Sequence, residues 1–245
     1  MQADIGIIGG TGIGDRLLLF GGRPLHVPTA AGIQRGRLVE VNGVKLFLIG
    51  RHSAGHKVPP HKVNYKAMAL GMRTLGVKAC LSTAAVGSLK REWPAGTLVA
   101  CSDFLDYTGR HPTLFDRQVV HTDFSQPFSA KARAALLAAA RDLGEPIQER
   151  GVYLSSNGPR YETPAEIDLY KVFGAELAGM TAATEAILMR EAGVDYGCLA
   201  IVTNLASGIS DQPLSHEEVV DEMSRSGEKA VKVLLRAAER LSGQP

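Results

Sequence analysis

Six short apolar runs punctuate the chain: Ile5 to Ile8, Val44 to Ile49, Ala79 to Ser82, Thr97 to Cys101, Val152 to Leu154 and Cys198 to Val202. Most are nearly continuous in hydrophobicity and several are followed by Gly, Ser, Thr or Asn, the pattern of short strands buried on both faces. Between them, apolar positions recur at helical spacing over Lys62 to Leu75, Ser129 to Leu143, Pro164 to Phe173 and Ala183 to Ala192. The alternation predicts an α/β protein with a mostly parallel central sheet flanked by helices. No internal repeat, low-complexity tract or linker divides it, so residues 1–245 are expected to form a single domain.

The last element has the clearest start. Ser215-His216-Glu217-Glu218 has the form of a capping box, and Val219, Met223, Ala230, Leu234, Ala237 and Leu241 follow at steps of three, four or seven. This places Ser215 at the N-cap and His216 in the first helical position. Ligands are often met at such an end, although a solvent-facing histidine at a cap is the plain alternative.

Composition narrows the function. With 45% hydrophobic residues over 245 positions, the chain buries a large core without disulfides. Lys and Arg number 27 against 25 Asp and Glu, a net charge of +2, which leaves no electrostatic footprint for nucleic acid or an anionic membrane. Cys80, Cys101 and Cys198 are scattered and odd in number, as expected of a reduced cytoplasmic protein. No run approaches a membrane span, and Asp4 stands where a signal peptide would be basic. The seven histidines show no paired helical spacing, so no metal site is expected.

Polar groups gather where the strands should end. Gly9-Gly-Thr11-Gly-Ile-Gly14 allows a tight turn and a close approach to an anion, with Thr11 as a donor. Asp15 stands where a dinucleotide fingerprint requires Gly or Ala, and no Lys-Ser/Thr follows as in a P-loop, so a small free anion suits the loop better than a dinucleotide. After the second run, Gly50-Arg51-His52-Ser53-Ala54-Gly55-His56 offers a guanidinium, two imidazoles and a hydroxyl, a second anion signal; His56 and His61 are equally readable as ordinary loop residues. Thr83-Ala84-Ala85-Val86-Gly87-Ser88 brings small residues and backbone N–H groups to the third strand end.

Asn157 to Thr163 is expected as a turn opening a helix. With Gly179-Met180-Thr181 it supplies Tyr161, Glu162, a thioether and a hydroxyl, an apolar slot with a few placed polar groups that suits a purine. Thr203-Asn204-Leu205-Ala206-Ser207-Gly208 ends the sixth run, where open α/β sheets bind ligands. A carboxamide there donates one hydrogen bond and accepts another, which matches an oxo group beside a ring nitrogen better than a carboxylate does.

These clusters, in this order and spacing, resemble the trimeric purine nucleoside phosphorylases of the group that includes methylthioadenosine phosphorylase, from Ile5 to about Leu235. The resemblance implies one α/β domain around a distorted, mostly parallel central sheet, assembled as a homotrimer with the pairing of trimers left open. It implies that Thr11, Arg51, His52, the Ala85 backbone and Thr181 hold phosphate, and that Tyr161, Glu162, Met180 and Asn204 hold base and ribose. By the same resemblance His216 receives the ribose 5′-hydroxyl and His121 reaches the neighbouring subunit's 5′ pocket. Inorganic phosphate is then a co-substrate, and no cofactor is implied.

Two departures refine this expectation. Adenine-cleaving members resemble Asp-x-Asp where this chain has Asn204-Leu205-Ala206, which points to 6-oxopurines: inosine, guanosine or 5′-methylthioinosine. Ala84 replaces a side-chain donor, shifting phosphate binding towards Thr11 and Thr181. Catalysis is expected from Arg51 and His52 on the anion and from Asn204 on the leaving purine. The alternatives are a methylthioadenosine phosphorylase and, more distantly, a dinucleotide-binding redox module. Composition also marks Ser207 to Ser215 as a candidate lid.

Overall fold

Residues 2–210 and 214–243 are described in the computed structural model. Strand β1 (Ile5–Gly9) feeds a short helix α1 (Ile13–Leu18), followed by β2 (Arg23–Thr29), β3 (Gly32–Val41), β4 (Val44–Gly50) and helix α2 (Tyr65–Thr74). Then come β5 (Ala79–Ser88), β6 (Leu98–Ala100), β7 (Asp103–Asp106), α3 (Ala130–Asp142), β8 (Ile147–Gln148) and β9 (Val152–Ser155). The chain continues through α4 (Pro164–Val172), β10 (Leu177–Gly179), α5 (Ala182–Glu191), β11 (Asp195–Leu205) and the long α6 (His216–Ser242).

The continuous apolar runs are strands covered on both faces. In β1 and β4, Ile5, Ile7, Leu46 and Leu48 join one core cluster with α1, α3 and α6. Ile8, Phe47 and Ile49 join the other, with Met68 and Met72 of α2 and Ala182, Ala186 and Met189 of α5. Period-two side-chain alternation therefore feeds two cores, and both faces select apolar residues. Six of the ten strand pairings are parallel and four antiparallel among the described residues.

The sheet forks at β5. Along one edge β5 runs parallel to β11 from Ala79 to Ser88. Along the other it pairs with β1 only from Ala79 to Ser82, and with β10 only at Gly87 and Ser88. Residues 83–86 thus have no strand beside them on that edge. One branch continues through β1, β4, β3 and β2, the other through β10, β9 and β7. The third apolar run was expected to end near Ser82; its polar-small tail is instead the largely buried continuation of one longer strand, unpaired on that edge. Opposite the fork, β11 carries a bulge: Val202 pairs with Val86 and Asn204 with Gly87, so Thr203 is an extra residue.

Other differences have local causes. Helix α2 starts at Tyr65, after Pro59-Pro60 and a single tight turn, because the Asn64 side chain caps it by accepting the Ala67 N–H. The β2–β3 hairpin was not anticipated: it is an edge of the sheet, largely exposed, with Pro24 and Pro28 and little apolar alternation to mark it. In α6 the Ser215 hydroxyl accepts the Glu218 N–H at 3.1 Å as expected. The reciprocal capping box occurs at α4, where Thr163 and Glu166 bond both ways. The candidate lid of residues 207–215 includes 211–213, which lie outside the described residues. Its first half is anchored: Ile209 is buried, and Gly208 packs on Pro164.

Ser215→Ala is predicted to cost about 1 kcal/mol, concentrated in the first turn of α6. Amide hydrogen exchange should quicken at Glu217 and Glu218 and stay unchanged in the middle of the helix.

Candidate active site

A cleft of about 390 Å³ opens beside the fork. Its walls are the carboxyl ends of β1, β4, β10 and β11 together with the unpaired stretch of β5, the place where an open α/β sheet receives its ligand. Thr11, Arg51, His52, Ala85, Tyr161, Glu162, Met180, Thr181, Asn204, Ala206 and His216 all line it, as does Ala84. His56, one of the ambiguous loop histidines, joins them; His61 and His121 do not, and both are exposed on this chain.

Arg51 follows β4 directly and is buried, its side chain 1% exposed. Its Nε and Nη2 donate to the two carboxylate oxygens of Glu185 on α5, at 2.5 and 3.0 Å. Burial alone would make the guanidinium easier to deprotonate; the adjoining carboxylate reverses this and raises its pKa. Nη1 lies over Gly10, where a Cβ would sit only 2.6 Å away, so this position admits no side chain.

His52 Nδ1 sits 2.8 Å from the Val58 carbonyl oxygen. A carbonyl can only accept, so Nδ1 carries the hydrogen and the neutral ring keeps its lone pair on Nε2. Burial, with the neighbouring Arg51 charge, pushes the His52 pKa down to about 3, outweighing the Val58 bond. His52 is therefore an acceptor at Nε2, although the loop sequence counts its imidazole among the groups of an anion site. His52, His56 and His216 form a run of rings, with centroids 4.3 and 5.6 Å apart. Burial and the neighbouring His216 and Arg51 also lower the pKa of His56. Ser53 and His56 hold left-handed backbone, with φ of 61° and 54°, in this loop.

The β11 bulge turns Asn204 into the cleft. Its carboxamide can be assigned from chemistry: the atom 2.9 Å from the Leu205 carbonyl oxygen must be Nδ2, and Oδ1 accepts the Thr203 hydroxyl at 2.8 Å. One N–H and one acceptor site stay uncommitted. Glu162 is held by the Ser156 hydroxyl, which donates to Oε1 at 2.5 Å. Tyr161 is half-buried beside it, its pKa raised by burial and by Glu162. Thr181 is the N-cap residue of α5, its hydroxyl not engaged in a cap bond.

Two residues escaped the sequence reading. Glu185 lies in an apolar helix, and the only hint was a carboxylate on the face shared with Ala182 and Met189. Arg110 gave no signal, yet it braces both base-side loops, donating to Asn157 Oδ1 and O and to the Met180 carbonyl at 2.9, 2.7 and 3.1 Å.

Residues 4–239 match the profile of the phosphorylase superfamily. The chain is 39% identical over 242 residues to the 6-oxopurine nucleoside phosphorylase of Pyrococcus furiosus, spanning 95% of this chain and 91% of that one. It is 40% identical over 240 residues to a Methanopyrus kandleri protein named "Probable S-methyl-5'-thioinosine phosphorylase", spanning 97% and 93% respectively. Among solved structures, methylthioadenosine phosphorylase from Schistosoma mansoni in complex with adenine is similar with a TM-score of 0.94 at 28% identity, over 100% of this chain and 93% of that chain.

Because folding depresses the His52 pKa from its ordinary 6.5 to about 3, the unfolded chain takes up a proton between these values that the native state refuses. His52 thus contributes stability that is present above pH 6.5 and lost as pH falls towards 3. His52→Asn, whose Nδ2 can replace the Nδ1–H donor to Val58, should flatten part of the fall in melting temperature between pH 7 and 4; an unchanged slope would contradict the assigned ring state.

Proposed function

The chain belongs to the phosphorylase superfamily, and on that premise we propose that it cleaves 6-oxopurine nucleosides with phosphate: inosine, guanosine or 5′-methylthioinosine. The products are the free base and ribose 1-phosphate or its 5-methylthio analogue. Purine nucleoside phosphorolysis is the activity; the 6-oxo preference is carried by one observation, the uncommitted N–H and acceptor site of Asn204 on the cleft wall.

In the reaction a phosphate oxygen bonds to C1′ as the C1′–N9 bond breaks, and the bonding pair leaves with the purine. The sugar passes through oxocarbenium character, as in glycoside cleavage. As the C1′–N9 pair leaves with the purine, N7 takes up a proton from water and presents that hydrogen to Asn204 Oδ1, while Nδ2 donates to O6, a contact that strengthens as negative charge collects on the ring. Glu162, oriented by Ser156, accepts from N1–H and from the guanine amino group. Arg51 and Thr181 donate to phosphate, with Thr11 and the Ala85 N–H. His52 Nε2 takes the hydrogen of a protonated phosphate oxygen. Ala84 adds no donor. Met180 and Tyr161 flank the base, and Ala206 leaves room beside it. His216 bonds the 5′-hydroxyl. Phosphate is a co-substrate and no cofactor takes part.

The reading extends to a cytoplasmic homotrimer in purine salvage. Val119 is 86% exposed and Val120 45%, directly before His121, which supports burial of this segment by a neighbouring subunit. His121 then enters the neighbour's 5′ pocket. Cys80, Cys101 and Cys198 are buried and unbridged, which supports a reducing compartment. Among the described residues no helix is long and apolar enough to cross a membrane.

Phosphate-dependent base release from inosine, methylthioinosine, methylthioadenosine and adenosine tests the reading. The two 6-oxo substrates are expected to be faster; the reverse order would favour a methylthioadenosine phosphorylase. Asn204→Asp should lower kcat/KM on inosine by roughly 10- to 100-fold, the range set by mispairing one or two buried polar groups, and shift preference towards 6-aminopurines. Unchanged substrate ratios would remove Asn204 from base recognition.

A further inference from the structure

Glu185 takes no part in the reaction as described, yet its carboxylate is buried and bonded at both oxygens. Its side chain is 1% exposed. Besides the two Arg51 bonds, it accepts the Tyr196 hydroxyl at 2.6 Å, and that oxygen lies 2.6 Å from the Ser82 hydroxyl. The chain of contacts runs from the loop after β4, through α5 and β11, to Ser82, the last β5 residue paired with β1. Tyr196 and Ser82 are themselves buried.

The pattern of donors is specific. A guanidinium has five N–H groups on three edges, and a carboxylate bound through Nε and Nη2 occupies one edge completely. The end edge, with one N–H on Nη1 and the second on Nη2, remains parallel and correctly spaced for two oxygens of a phosphate. Glu185 decides which edge is left, and the Gly10 backbone against Nη1 limits how far it can rotate. On the same helix, Thr181 lies one turn earlier, its carbonyl accepting the Glu185 N–H at 3.2 Å. One rigid element thus carries a cleft residue and the clamp for Arg51.

Resting on the phosphorylase reading, we propose that Glu185 is a positioning residue for the anion subsite, turning the end edge of Arg51 towards phosphate. It touches neither substrate. Its effect is felt in phosphate affinity and in the approach of phosphate to C1′, and nucleoside binding is largely independent of it.

Glu185→Asp tests this directly, because it keeps the charge and shortens the reach by one methylene. A displacement near 1 Å at a positioned group costs up to about 100-fold. The phosphate KM is therefore expected to rise by about tenfold or more, with kcat reduced and the inosine KM held within about twofold. A folded variant whose phosphate KM is unchanged, or whose two KM values rise together, overturns the proposal. If the variant melts below the assay temperature, Tyr196→Phe decides: it removes only the hydroxyl donated to Oε2, and a phosphate KM that rises by itself supports the proposal while an unchanged value overturns it. Calorimetric titration of each protein with inorganic phosphate alone separates this from the reaction itself. A wild-type protein that binds phosphate but releases no base from nucleosides defeats the proposed function and leaves the Glu185 comparison readable.

Discussion

The fork in β5 is the constraint on which the cleft depends. A strand that outlasts one neighbour before meeting the next leaves backbone groups without a ladder partner, and such groups need other company. Here the pairing of β5 with β1 ends at Ser82, and its pairing with the antiparallel β10 resumes only at Gly87. The interval opens onto the cleft, between the loops that follow β1 and β4 and those that follow β10 and β11. Gly87 also shows how close this packing is: a Cβ there would lie 3.3 Å from Asn204 Nδ2. The bulge at Thr203 and the small residue at position 87 therefore act together to set the carboxamide on the wall.

The electrostatics of the cleft are more restrained than the cluster Arg51, His52 and His56 suggests. The Arg51 charge is matched by Glu185, and His52 is neutral with its hydrogen committed to Val58. Anion binding on this account relies on the direction of donors and on one fixed acceptor, with little net positive charge. On the proposed reading the same logic governs the base: Asn204 and Glu162 each accept a bond from a neighbouring hydroxyl, Thr203 or Ser156, so discrimination would rest on preset donors and acceptors.

Much of this could be read from the sequence because it is local. The runs Ile5 to Ile8 and Val44 to Ile49 are apolar on both faces for the reason the cores show, and the end of each strand is marked by the residues that chemistry needs there. The cap at Ser215 was readable because a hydroxyl three residues before a glutamate has a short-range purpose. What escaped was non-local. The fork depends on which strands meet β5, and nothing within Thr83 to Ser88 records its partners. Glu185 escaped because its partner is 134 positions away, and Arg110 because its function lies in bracing two loops distant in sequence. The tautomer of His52 was likewise set by a carbonyl six residues on, in a loop without periodicity. The edge hairpin carries weak alternation because few of its side chains reach a core, with only Val27 and Gln34 buried.

The most direct test of the central claim is a crystal structure with hypoxanthine and phosphate bound together. The account predicts the purine O6 within hydrogen-bond distance of Asn204 Nδ2, N7 facing Oδ1, and phosphate oxygens against the end edge of Arg51. A base bound with the Asn204 carboxamide turned into the core, or phosphate lodged away from Arg51, would contradict it.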